Sequence, residues 1–301
     1  VMGLILANAH MGDPSRMGLN VDAWGLLGLA GAVLFWSVYG GARRSEVLYR
    51  GRRWLGLALM VAMYAIFRRT THSGEVGWID GSYPEILGLI GYTYLAVCIL
   101  YIPTRRWLWA PCAWFVALTA FCALTAARWI VLPHHLPLYF FPFDNGAMAS
   151  ITMAGVITSS IFLGTHRWQT ARQKMYLAAG FSCIALVAGW LLSPLGISKD
   201  RATPTWCLYS IGGSILLFTA LYWVCDVKKQ TRWAFFAHSA GSNTLLTYLL
   251  PDFYHYIVGW IGFTYLSYNF GWQGVVRSML FTAAILVLSS ILTKWKVRMQ
   301  L

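Results

Sequence analysis

Charge is scarce in this sequence. Of its 301 residues only 11% are Asp, Glu, Lys or Arg, against about 25% in a soluble domain, so the chain cannot clothe itself in a water-facing surface. Cysteine is sparse too. Cys98, Cys112, Cys122, Cys183, Cys207 and Cys225 fall in or at the ends of apolar runs, with no C-x-x-C pair. That pattern excludes a zinc ribbon or a disulfide framework and reads as small buried hydrophobes. Also missing are a G-x-G-x-x-G turn, a Walker phosphate loop and a G-x-S-x-G elbow, which removes the familiar soluble nucleotide-binding and serine-hydrolase chemistries. No acid lies deep in an apolar run, which argues against a proton- or sodium-coupled carrier with a midplane carboxylate.

What the chain has is hydrocarbon. Hydrophobic residues make up 58%, and many of its 16 Trp stand near the ends of apolar runs, at the depth of lipid headgroups. An all-α, polytopic transmembrane helix bundle follows, since a helix needs about 20 apolar residues to cross the bilayer core. Nine spans are expected: 22–40, 53–67, 85–102, 107–127, 145–164, 174–192, 203–224, 235–257 and 275–294. Before them, Val1–Asn8 is an apolar stub without a basic n-region, and reads as the tail half of a helix rather than a signal peptide. The whole, 1–301, is expected to be one transmembrane domain.

The net charge of +13 could point to nucleic acid, but its location points to topology. Sixteen of the 23 Lys and Arg fall in alternate loops, among them Arg43, Arg53, Arg105, Arg172, Lys228 and Lys294. By the positive-inside rule those loops and the C-terminus are cytoplasmic, and no nucleic-acid partner is expected. The acids run the other way: Asp13, Asp22, Glu75, Asp80, Glu85, Asp144, Asp200 and Asp252 are external, as are His10, His72, His134, His135 and His255. Groups able to do acid–base work therefore concentrate on the outer face. Adjacent His134 and His135 point apart on most backbones, so no metal site is expected. The surrounding segment 128–146, rich in Pro and aromatics, reads as a rigid external lid. Loop 194–204 carries Lys199 and Arg201 outside, against the topology rule, and is a candidate anion site. Asn243, in the small-residue run Ser239-Ala-Gly-Ser-Asn243, reads as an interhelical hydrogen bond.

Several segments, in order, resemble one family. Gly196-Ile-Ser-Lys199-Asp-Arg-Ala-Thr203-Pro204 resembles an external loop and helix start. Tyr83-Pro-Glu-Ile-Leu-Gly88-Leu-Ile-Gly91-Tyr-Thr-Tyr94 resembles a glycine-spaced helix, and Phe143-Asp144-Asn145-Gly146 a helix entry. Ala240-Gly241-Ser-Asn243-Thr-Leu-Leu-Thr-Tyr248 resembles "G-x-N-A-L-x-x-Y", and Val1–Asn8 the end of a third helix. Together they look like the membrane acyltransferases related to heparan-α-glucosaminide N-acetyltransferase, in their bacterial branch.

The resemblance implies acetyl transfer from cytoplasmic acetyl-CoA to a sugar or glycan at the far side of a bacterial inner membrane, with a homodimer left open. It also implies that two helices and the external loop with the family's catalytic His lie upstream of Val1, so no His here inherits that role. Were the chemistry within these residues, His10, followed three residues later by Asp13, is the first catalytic candidate. Lys199 is expected to hold an anionic group and Asp144 and Asn145 to position sugar hydroxyls, with Asp13 a further substrate-binding residue of the same external mouth. Asn243 is expected to fix the helix behind them. The competing class is a transporter of sugars or amphiphiles, or a non-catalytic protein of envelope assembly.

Overall fold

The computed structural model describes residues 1–38, 46–71, 73–81, 85–132, 145–164, 170–262, 270–295 and 297–299. Helices α1 (Met2–Asn8), α2 (Pro14–Met17), α3 (Val21–Trp36) and α4 (Glu46–Ile66) lead into a hairpin, β1 (Arg69–Thr70) against β2 (Val76–Gly77). Then come α5 (Glu85–Thr104), α6 (Ala110–Ala126), α7 (Ala147–Leu163), α8 (Ala171–Leu191) and α9 (Pro204–Tyr222). The chain ends with α10 (His238–Ser242), α11 (Thr244–Ile261) and α12 (Gly271–Lys294). Local chemistry sets several boundaries. Asn20 caps α3 by accepting from the Asp22 and Ala23 amides, Thr170 and Gln173 form a capping box on α8, and Pro204 opens α9 where a missing N–H costs nothing.

Among the described residues, four helices are long and apolar enough to cross a membrane: Glu85–Thr104, Ala171–Leu191, Pro204–Val227 and Gly271–Lys294. Helix α12 leaves Met279, Leu280 and Val287 exposed, and aliphatic surface of that kind is stable in lipid. The chain is a helical membrane protein. Helices α3, α6 and α7 are equally apolar but 16, 17 and 17 residues long. At 1.5 Å per residue that is roughly 24–26 Å, short of the hydrocarbon core of about 30 Å. Nine full crossings therefore do not follow from helix length. The expected span 235–257 is interrupted: a 3-10 turn over Arg232–Ala237 and the short α10 precede α11, with the break at Asn243.

The fold divides into two units, one of Val1–Glu85 with Arg232–Leu301, the other of Ile86–Thr231. In the first, α3 is the hub. Three glycines three residues apart each seat a different neighbour: Gly25 the ring of Tyr256 on α11, Gly28 the side chain of Ile5 on α1, and Gly31 the backbone of α4 at Gly56. Small residues let helix backbones approach this closely. Trp24 is fully buried beside them, its indole donating to the Met63 carbonyl at 2.7 Å and its ring 4.7 Å from that of Phe67. The hairpin uses Arg69 as a tie: it pairs with Asp80 at 3.0 Å and donates to the Trp78 carbonyl.

In the second unit α8 packs along α9 and α6 along α7. The core is built from Ala149, Met153, Ala154, Ala178, Ala185 and Leu208. Ser182 donates to the Gly212 carbonyl at 2.7 Å, fastening α8 to α9.

Candidate functional site

Helix α11 carries Asp252 and His255 three residues apart, a spacing that puts both on one face. Asp252 is half-buried and lies within electrostatic reach of His255, Glu85 and His10. The next residue, Tyr256, is buried and feels the charges of Asp252, Asp22 and Glu85. Three stretches of the first unit thus converge: the turn after α1, the start of α5, and the second half of α11. Glu85 takes a left-handed φ of 59°, which costs energy for a residue with a side chain; strain of this kind collects at functional sites.

His255 has the geometry of a base. Its Nδ1 stands 2.7 Å from the Pro251 carbonyl, which can only accept, so the neutral ring carries its proton on Nδ1. The lone pair is then on Nε2, and the side chain is exposed. An oriented imidazole with a free Nε2 and a carboxylate one turn away can take a proton from a hydroxyl or an amine. Among the described residues no group of three or more His, Cys, Asp and Glu is arranged to hold a metal ion.

His10 joins that cluster, but the other residues singled out in the sequence take different places. Asp13 is engaged locally. It accepts from the Ser15 amide at 3.1 Å, the Ser15 hydroxyl at 2.5 Å and the Thr70 hydroxyl at 2.6 Å, and pairs with Arg16 at 3.2 Å. It caps α2 and ties that helix to the hairpin. Asn145 donates to the Arg201 and Ala202 carbonyls and accepts from the Ala147 amide, joining the start of α7 to loop 196–203. That loop is closed by Ser198 and Thr203, which bond to each other. Lys199 projects from it, exposed and without an ion pair among the described residues. Asn145 and the Lys199 loop are therefore brought together. Asn243 is not with His10: it is buried at the start of α11, donating to Thr293 and the Val297 carbonyl and accepting from the Met299 amide. Nine residues of helix, roughly 13 Å, separate it from Asp252, and it holds the chain's last residues rather than an external mouth. Asp144, His134 and His135 lie outside the described residues, as do positions 133–144 of the lid expected over 128–146.

The hydrogen bonds from Ser15 and then Thr70 hold the Asp13 carboxyl down to about 2, below the unfolded value near 3.9. A depressed carboxylate stabilises above its unfolded value and loses that contribution as pH falls through the folded one. The tie between α2 and the hairpin is expected to be intact above roughly pH 4 and to open toward pH 2. Amide exchange at Ser15 in detergent reports it: protection should fall over that window, and in Asp13→Asn it should be low at every pH.

No family model, no curated protein and no solved structure matches this chain.

Proposed function

We propose that the protein is a membrane-embedded acyltransferase that moves an acetyl or other acyl group from cytoplasmic acyl-CoA to a sugar or glycan at the external face. One observation carries the reading: His255, oriented through Pro251 with Nε2 free, gathered with Asp252, His10 and Glu85. Charge bias puts that end of α11 outside, where an acceptor amine or hydroxyl would arrive. The acceptor's nitrogen or oxygen forms the new bond to the acyl carbon, its proton passes to His255 Nε2, and the thioester C–S bond breaks, coenzyme A leaving as a thiolate that takes up that proton. Within the second unit, Lys199 stands exposed on the loop that Asn145 holds, a separate candidate for binding an anion. Acetyl-CoA as donor rests on the family resemblance alone, as do the bacterial inner membrane and the upstream histidine. Nine crossings with a cytoplasmic C-terminus complete the reading, the shorter helices reaching across with their flanking turns.

Inside-out vesicles containing the natural protein, loaded with glucosamine and given acetyl-labelled acetyl-CoA outside, test it. Labelled N-acetylated sugar should accumulate in the lumen in proportion to the protein. Label no higher than in protein-free vesicles, or sugar counterflow that needs no acetyl-CoA, would overturn the reading, the latter in favour of a transporter.

A further inference from the structure

Between α6 and α8 the second unit leaves an apolar groove. It consists of two cavities, of about 640 Å³ and about 570 Å³, that share Ile184. The first opens at the end of the unit where α5 runs into α6, with Tyr101, Arg105 and Trp107 at its mouth and Cys112, Gly180 and Ile184 further in. Arg105 is exposed and, among the described residues, makes no ion pair. Its neighbour Trp107 stacks on Trp109 at 5.9 Å with the rings nearly parallel, a flat aromatic ledge of the kind that lies at headgroup depth. The mouth is fixed to the body of the unit: the Trp114 indole donates to the Thr104 hydroxyl at 3.1 Å. Arg105 belongs to the loops that charge bias puts on the cytoplasmic side.

A cation and a tryptophan ledge above a hydrocarbon slot are complementary to one molecule in this surrounding, an anionic phospholipid of the inner leaflet. Basic pockets between helices on that side select such headgroups. We propose that the α6–α8 groove is a specific site for one anionic phospholipid, its phosphate on Arg105 and one acyl chain lying past Gly180 toward Ile184. The groove is long enough: the 17 residues of α6 rise roughly 25 Å, and half a bilayer core is about 15 Å. This site is independent of acyl transfer and stands or falls on its own measurement.

Gly180 supplies the decisive variant. A Cβ built there meets nothing within 4 Å, so Gly180→Leu projects into the groove and removes a poor helix former. Delipidated protein in detergent, followed by native mass spectrometry, is titrated with phosphatidylglycerol and with phosphatidylcholine of the same chains. Phosphatidylglycerol should bind at least tenfold tighter. Arg105→Gln should remove most of that preference, while Arg106→Gln, which does not line the groove, should keep it. Gly180→Leu should lose both lipids without a lower melting temperature; if that variant misfolds, Arg105→Gln still decides. Equal binding of the two lipids by the parent protein, or an unchanged preference in Arg105→Gln, would overturn the proposal. So would inorganic phosphate competing as well as the whole lipid. A Gly180→Leu variant that disperses a dimer but keeps its lipid would assign the groove to a second copy of the chain instead.

Discussion

Gly56→Ala is expected to destabilise the first unit more than any other single methyl group. A Cβ at Gly56 would lie 2.6 Å from the Gly31 carbonyl oxygen and 2.8 Å from the Phe35 nitrogen, and one at Gly31 would lie 2.9 Å from the Gly56 oxygen. These are backbone atoms of the facing helix, so relief requires α3 and α4 to part along their contact. Overpacking of this kind costs about 1–3 kcal/mol and occasionally more. Alanine returns at most about 1 kcal/mol of helix propensity, so the clash wins. Melting in detergent should drop on the order of 5 °C or more, at about 2–4 °C per kcal/mol for chains of 150–250 residues. Gly51 is the control. It lies in the same helix with nothing within 4 Å of a built Cβ, and Gly51→Ala should be neutral or slightly stabilising. Equal melting temperatures for the two variants would mean that α3 and α4 do not cross at Gly31 and Gly56.

His255→Ala carries the largest expected effect on activity. Loss of a positioned general base lowers turnover by roughly 10²–10⁴-fold, and the exposed side chain should leave the melting temperature almost unmoved. Asp252→Asn keeps the shape of its neighbour while removing the charge, and is expected to lower kcat by less. His10→Ala, acting through Asp252, should do less still. The assay is acetyl-CoA-dependent labelling of the acceptor at matched expression. Full turnover in His255→Ala would remove this imidazole from the chemistry and leave the cluster as an electrostatic support for α11.

The helices could be read from the sequence because burial in lipid imposes one strong pattern, a long apolar run bounded by Trp and cations. Each expected span overlaps a helix of the described residues, and several displaced ends have physical causes. Helix α4 begins at Glu46, seven residues before the expected 53, because Arg50, Arg52 and Arg53 are good helix formers that hydropathy alone discards. The run through 235–257 is long enough for one helix, yet it breaks at Asn243, whose amide finds better partners in Thr293, Val297 and Met299 than in its own helix. That competition between a side chain and the helix ladder is set by residues 50 or more positions away. The site was half visible. Asp252 and His255 stood in the sequence as an i, i+3 pair with the outer acids and histidines, but nothing in their spacing brought His10 or Glu85 to them. Asp13 attracted notice as an external acid near a histidine, and its partner Thr70 lies in a two-residue strand too short to leave a period.

The contact between Gly25 and Tyr256 reaches further than packing. The Tyr256 ring fills the notch where a Cβ on Gly25 would lie 2.8 Å from Cζ, while the Asp22 carboxylate occupies the equivalent notch at Gly259, 2.5 Å from a Cβ built there. Two contacts, at positions three residues apart on α11, fix the angle at which that helix is dialled against α3. Successive side chains leave a helix roughly 100° apart, so once Tyr256 is seated inward, the direction of His255 is no longer free. The aim of the imidazole is written into a glycine on another helix.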